Sequence, residues 1–510
     1  MAQDRYMVFF TDKSNSIYSI NRPADFLSER ALIRRDRQNI PITEQDLPVN
    51  SNYIQSLKNM GVEVFYPSKW LNGVLVQMET SRAQSVSQLS FVLGVERVAP
   101  GAPLRVGGSL RSDEQLPAQT NLANNQQSML GIDLMHEYGI WGEGVLVGIF
   151  DDGFANYTQI GAFQHILNED RILYSYDFVN NRESVENNEN HGTRVFSIMA
   201  ADQSNYTGVV PKATYILSVT EAPLEYRVEE YNWLFAAEKA DSAGVDIINT
   251  SLGYKTGFTD PSMNYTNVQL NGQTAVITRA ANIAASKGIV LVTSAGNNGS
   301  AVGAPADSPN VLAVGAVNAE GEIAGFSSRG TFTPNVFKPD VMAQGSATLL
   351  LTADGIIAAQ NGTSFSSPLV AGLAVGLIQA YPSKTASEIL EMIRRSGDFA
   401  NEPNQVFGYG TPNFGRILEN ERLAAGESTV VYTAYPNPTT EEIQLSFDES
   451  HYGQIITVQV IKSSGQVEKT FDYVPFEGRN PLRISLNESG LYFLRIITPS
   501  KTASRKIIKY

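Results

Sequence analysis

Four histidines and no cysteine limit the chemistry open to this chain. Thiolate catalysis, disulfide frameworks and cysteine-ligated metal sites are excluded. His136, His165 and His451 read as structural or exposed rings. His191 differs in context: it follows the polar loop 181–190 and opens the apolar segment His191-Gly192-Thr193-Arg194-Val195. A ring with solvent on one side and a core on the other suits a proton carrier. Asp151 ends an apolar strand in Gly148-Ile149-Phe150-Asp151-Asp152-Gly153. Ligands collect beyond the carboxyl ends of parallel strands, although an Asx turn uses the same residues. Ser364 lies in Asn361-Gly362-Thr363-Ser364-Phe365-Ser366-Ser367-Pro368, directly before an apolar helix. It fits an N-cap or a nucleophile whose own N–H, at a helix start, donates to an oxyanion. Asn297, in Thr293-Ser294-Ala295-Gly296-Asn297-Asn298-Gly299, offers a second such donor or a plain turn.

These residues need a scaffold, and the pattern from about 129 to 418 supplies one. Apolar strands at 144–150, 214–220, 245–249, 289–293 and 311–316 alternate with helices at 192–201, 228–243 and 275–287. Such alternation predicts a parallel sheet with helices on both faces, an α/β fold. Residues 1–100 read as a smaller α+β domain: a strand at 5–13, helices at 51–60 and 81–93, a hairpin over 62–79 turning at Asn72-Gly73, and a strand at 95–100. A basic cluster, Arg30, Arg34, Arg35 and Arg37, falls in its mixed helix and loop region. Residues 101–128 are rich in Gly, Pro, Ser, Asn and Gln and read as a linker. The core domain is expected over 129–425. Short alternating segments in 430–510 predict an all-β sandwich.

Over 510 residues, 42% hydrophobic composition supports sizeable cores and excludes a mostly disordered chain. A net charge of −14 disfavours nucleic-acid binding. The apolar run 369–380 is shorter than the roughly 20 residues of a membrane-spanning helix, so no transmembrane segment is expected. Met1 to Arg5 lacks a signal peptide's apolar centre. The chain is therefore expected either to be cytoplasmic or to have lost a leader.

The order Asp, His, Asn, Ser is more specific than any one residue, since Asp…His…Ser is one of three chain orders in which unrelated triads occur. The sequence resembles the subtilase family of serine endopeptidases in six elements: Asp151-Asp152-Gly153, His191-Gly192-Thr193, Gly208-Val209-Val210-Pro211, Ser251-Leu252-Gly253, Ser294-Ala295-Gly296-Asn297 and Gly362 to Pro368. The resemblance implies a subtilisin-like sheet and peptide-bond hydrolysis. Ser364 would be the nucleophile, His191 the general base and Asp151 its partner, with Asn297 in the oxyanion hole. Ser251, Leu252, Gly253, Ser294, Ala295 and Gly296 would hold the substrate backbone and wall the specificity pocket. The family's usual residue at position 152 is Thr, Ser or Asp, so the catalytic role goes to Asp151. Two departures stand out: Phe196-Ser197 replaces a small pair, and Leu369 replaces a histidine.

By the same resemblance residues 5–100 are a propeptide that assists folding and blocks the cleft, making the chain a zymogen with its own propeptide as inhibitor. The C-terminal segment, opening Tyr435-Pro436-Asn437-Pro438, resembles the type IX secretion sorting domain of Bacteroidetes proteins. It implies the type IX machinery as partner, a trimmed signal peptide and a secreted or surface-attached product. No cofactor is required; structural calcium is common in the family, but no spacing fixes a site. Two rival readings remain. A catalytically inactive subtilase-fold surface module keeps the fold without the activity. An esterase of the α/β-hydrolase type needs a Gly-x-Ser-x-Gly elbow and Ser before His, which the chain lacks.

Overall fold

The computed structural model describes residues 3–101, 125–424, 432–476, 480–499 and 502–510, and the chain divides into two units, Met1–Ile417 and Leu418–Tyr510. In the first, strands Gln3–Phe10 (β1), Glu63–Ser68 (β2), Gly73–Glu79 (β3) and Val92–Pro100 (β4) form an antiparallel sheet ordered β2-β3-β1-β4. Helices Glu29–Arg37 (α1), Ser51–Asn59 (α2) and Thr80–Ser87 (α3) accompany it. The hairpin turns where Asn72-Gly73 predicts, with Asn72 at φ 49° and its Nδ2 donating to the Phe10 carbonyl at 3.1 Å. Most of the expected linker lies outside the described residues. Asn125–Ser128 is helical, and the buried Gln126 side chain exchanges hydrogen bonds with the Leu349 backbone at 2.8 and 3.0 Å.

The seven strands of the central sheet are Leu146–Asp151 (β5), Ile172–Asp177 (β6), Thr214–Val219 (β7), Ile247–Thr250 (β8), Val290–Ser294 (β9), Leu312–Val317 (β10) and Val341–Gln344 (β11). All pair in parallel in the order β11-β10-β9-β8-β5-β7-β6. The order reverses between β5 and β8, the switch point at which open parallel sheets bind ligands. Every residue of β5, β8, β9 and β10 is buried, as expected for strands covered on both faces. Helices His191–Ala200 (α4) and Thr363–Ala380 (α7) pack together, while Val228–Ala243 (α5) and Val276–Ser286 (α6) pack together around a separate core that includes Phe150, Ile248 and Leu291. Helix α7 has the length and apolarity of a membrane span, but 89% of it is buried inside the domain. Its close fit requires glycine: a Cβ on Gly372 would lie 2.4 Å from Val209 Cγ1.

The small N-terminal domain shares the α5/α6 core. Met7, Trp70, Leu75, Val98 and Ala99 are buried in one cluster with Tyr231, Phe235 and Ala280. The basic cluster, expected only as part of a mixed region, lies on α1 and reaches the same helices. Arg34 and Arg35, each 1% exposed, bind Asp241 at 2.5 and 2.9 Å, and Lys69 binds it at 2.9 Å. Asp46 pairs with Arg35 at 2.9 Å and Lys287 at 3.0 Å. Burial opposes the Asp241 charge, but Lys69, Arg34 and Arg35 outweigh it and hold the carboxyl down to about 2. Glu238 accepts from Ser68 Oγ, Lys69 N and Trp70 N at 2.6, 2.7 and 3.1 Å, joining α5 to the end of β2.

The second unit contains two antiparallel sheets. Tyr432–Tyr435 (β12), Glu442–Phe447 (β13) and Leu482–Ser485 (β16) form one; Ile456–Lys462 (β14), Val467–Tyr473 (β15), Gly490–Ile497 (β17) and Thr502–Lys509 (β18) form the other. Their inward residues, among them Ile443, Leu445, Val458, Leu494 and Ile507, share one core. This is the expected β-sandwich.

Two predictions follow from the buried charges. Asp241→Ala strands Arg34, Arg35 and Lys69, and removing one partner of a buried network costs about 3–5 kcal/mol; a lower urea midpoint for the full chain checks this. Burial pushes Glu230 up to about 7 from 4.5, so the folded chain keeps a proton that the unfolded chain releases. That contribution is full below pH 4.5 and is lost as pH rises through about 7. Urea midpoints of Glu230→Gln should accordingly vary less across this window than those of the wild type.

Candidate active site

Strand β5 delivers Asp151 at its carboxyl end, and His191 is the first residue of α4. The two lie beside each other: His191 Nδ1 donates to Asp151 Oδ1 at 2.6 Å. In the neutral ring this contact fixes the tautomer and puts the lone pair on Nε2. Both groups are buried, at 1% and 5% exposure, and the Asp152 N–H also donates to Asp151 Oδ1 at 2.9 Å. Gly192 makes the approach possible. A Cβ there would stand 2.5 Å from the Gly153 carbonyl and 3.0 Å from Asp151 Cβ. Thr193 Oγ1 donates to the Ala155 carbonyl at 2.9 Å, tying the start of α4 to the loop after β5.

Ser364 is the second residue of α7 and is buried. Four residues on, Pro368 has no N–H to give to the Ser364 carbonyl. Ser251 Oγ, just beyond β8, donates to that carbonyl instead at 2.9 Å. The Ser364 hydroxyl in turn donates to the Ser251 carbonyl at 3.3 Å. Asn249 buttresses the pair, donating to Ser251 Oγ at 3.3 Å and accepting from Ser367 Oγ at 2.8 Å. The helix start is therefore fastened to the end of β8.

Asn297 follows β9. Its Oδ1 accepts from both the N–H and the hydroxyl of Thr363 at 2.8 Å. With the oxygen engaged, Nδ2 is the donor left for the cleft. Thr363 Oγ1 also accepts from the Gly296 N–H at 3.1 Å, and Gly296 turns at φ 107°. Thr363 and Asn249 thus position the site, although sequence reasoning singled out neither; the signal available for Thr363 was its place beside Ser364.

A cleft of about 490 Å³ is lined by His191, Ser364, Asn297 and the two segments 251–253 and 294–296. Every residue expected at the site lines this cleft except Asp151, which stands behind His191. The departures also find a place. Phe196 stacks on Phe163 at 4.5 Å and meets Tyr215 edge-on, and Ser197 Oγ accepts from the Leu351 N–H at 2.9 Å. Leu369 is buried in α7. Of the other histidines, His136 stacks on Trp141 and bonds the Val209 carbonyl, and His165 bonds the Pro211 carbonyl.

Among the described residues, one group of three acidic or imidazole ligands comes within metal-binding distance: Asp151, Asp152 and His191. Its central contact is the Nδ1–carboxylate hydrogen bond, and a mixed imidazole site does not suit calcium, which takes oxygens. In the loop 181–190, Glu186 is engaged by Thr158. No calcium ligand set is assigned.

The subtilase family profile matches residues 142–410, just over half of the chain, so the chain belongs to the subtilase family of serine endopeptidases. A Bacteroidota S8 propeptide domain matches residues 5–113, and a secretion system C-terminal sorting domain matches 433–510. The thermophilic serine proteinase of Bacillus sp. (strain AK1) is 33% identical over 246 residues, 48% of this chain and 55% of that protein. Subtilisin E of Bacillus subtilis is 29% identical over 308 residues, 58% of this chain and 70% of that protein. Among solved structures, the epidermin leader peptide processing serine protease of Staphylococcus aureus superposes with a TM-score of 0.58 at 15% identity, covering 84% of this chain and 100% of that one. At that identity the likeness concerns the fold.

Gly192→Ala should force the start of α4 away from β5. Overpacking of this kind costs about 1–3 kcal/mol, and a thermal unfolding scan of the purified chain would register it.

Proposed function

We propose that this chain is a serine endopeptidase made as a zymogen, with Ser364, His191 and Asp151 as its triad. The observation that carries the reading is the His191–Asp151 contact of 2.6 Å in a cleft that Ser364 also lines. The Ser364 hydroxyl, resting on the Ser251 carbonyl, must donate to His191 Nε2 instead. Nε2 takes the proton as Oγ attacks the peptide carbonyl carbon, and the imidazolium is stabilised by Asp151. Asn297 Nδ2 and the Ser364 N–H donate to the oxyanion. His191 then protonates the leaving amine, and water releases the acyl group by the same steps.

The division proposed is a propeptide over 1–100, a processing region over 101–128, the catalytic domain over 129–425 and the sorting domain over 430–510. The family matches at both ends support it. The propeptide would act as intramolecular inhibitor, and the sorting domain would direct the product through the type IX machinery to the outside or the cell surface. Polypeptides are the substrates.

Expression of the full chain with and without Ser364→Ala tests the reading. The wild type should shorten itself and hydrolyse casein, while Ser364→Ala stays full length and loses about 10⁴-fold or more in kcat. Asn297→Ala should lower kcat by about 10²–10³-fold with a smaller change in KM. Wild-type protein that neither shortens nor cleaves casein would instead support the inactive binding module.

A further inference from the structure

The cleft lining includes a charged residue that the proposed chemistry does not use, Lys255. Tyr254 pairs with Ala304 through both backbone hydrogen bonds, at 2.7 and 2.9 Å, which sets Lys255 beside Gly303 in the wall of the cleft. A Cβ on Gly303 would lie 3.3 Å from Lys255 Cβ, so the glycine leaves the lysine stem uncovered there. The ammonium is held by neutral acceptors: Nζ donates to the Ala301 carbonyl at 3.1 Å and to Ser300 Oγ at 3.3 Å. These bonds use two of its three protons, and the Phe332 ring centroid lies 5.5 Å from Nζ, so its partners are all uncharged.

The charge around it is one-sided. Among the described residues, Lys255 is the only ionisable cation lining the cleft apart from His191, and no carboxylate lines it. Among the described residues none forms an ion pair with Lys255, and burial pushes its amine below the ordinary lysine value with no acid to offset this. A partly desolvated ammonium gains from a carboxylate what a solvated one does not. The wall segments 251–253 and 294–296 present mostly backbone and small side chains, and so add no charge preference of their own.

We propose that Lys255 is a specificity-determining residue that selects an acidic side chain at the substrate position preceding the scissile bond. The inference rests on the protease reading above and deepens it: the cation waits at the wall of the specificity pocket, and the substrate supplies the missing anion.

The test uses protein expressed as the full chain and left to process itself, with peptides that differ only at that position: Glu, Gln, Leu or Lys. Wild type should favour Glu over the isosteric Gln by about tenfold in kcat/KM, the size of one charged hydrogen bond. The preference should shrink as salt is raised. Lys255→Met should bring the Glu/Gln ratio close to 1, and Lys255→Glu should favour Lys. Each ratio is taken within one protein sample, so it does not depend on how much of a variant folds. Equal or better cleavage of the Gln or Leu peptide by wild type, or a Glu/Gln ratio that Lys255→Met leaves intact, would overturn the role of Lys255 alone. Cleavage of none of the peptides would remove the protease reading itself, and this proposal with it.

Discussion

Helix α7 has to be buried on every side, and the rest of the catalytic unit is arranged around that requirement. From Leu369 to Leu377 it has no polar face to turn to water, so it lies inside the domain with β8, β9, β10 and β11 against it. A helix placed that deep cannot choose where its first turn falls. The ends of β8 and β9 meet the Gly362-Thr363-Ser364 turn, and side-chain hydrogen bonds replace those a helix start and a proline leave unmade. Ser251 serves the Ser364 carbonyl, and Asn297 serves the Thr363 N–H. The residues proposed for chemical roles therefore include groups that fasten the core helix. The helix N-cap is Gly362 and Ser364 is the second helical residue, so Ser364 does not act as the N-cap its position also suggested, whereas Asn297 Oδ1 does accept from the Thr363 N–H.

A second constraint governs the N-terminal domain. Its sheet covers apolar positions on α5 and α6, while its arginines sit in a charge network with almost no exposure. Buried pairs of this sort add little net stability but punish any mismatch severely. They specify one docking arrangement. An apolar face alone would tolerate sliding, whereas two guanidinium groups converging on one carboxylate do not. The requirement suits a domain that must be placed the same way in every copy of the folding chain.

Legibility in the sequence followed the length of the apolar run. Strands β5, β8, β9 and β10 were visible because central parallel strands are continuous apolar runs, and their predicted positions agree with the structure to within two residues. The two strands of the central sheet that were not foreseen, β6 and β11, are its two edges. Ile172–Asp177 alternates tyrosines with polar residues and is only partly buried, and Val341–Gln344 is four residues long. The latter is fully buried, but its apolar run is only Val341-Met342-Ala343 between Asp340 and Gln344, too short to stand out in the sequence. In the last unit the period-two pattern located six strands, and only Tyr432–Tyr435, beside a proline-rich turn, was not anticipated.

The sequence by itself determined which residues stand at the carboxyl ends of strands and the starts of helices, because local hydrophobic periodicity and turn chemistry set those boundaries. Asp151, His191, Asn297 and Ser364 were readable for that reason. Only the tertiary structure decided which of them meet and what holds them. The Nδ1–carboxylate contact joins residues 40 apart, the Thr363–Asn297 clamp spans 66, and Arg34 finds Asp241 207 positions away. Contacts of that range depend on how the elements pack, and no local pattern encodes a partner's position. The Lys255 ammonium belongs to the same class: what makes it informative is that, among the described residues, no carboxylate forms an ion pair with it.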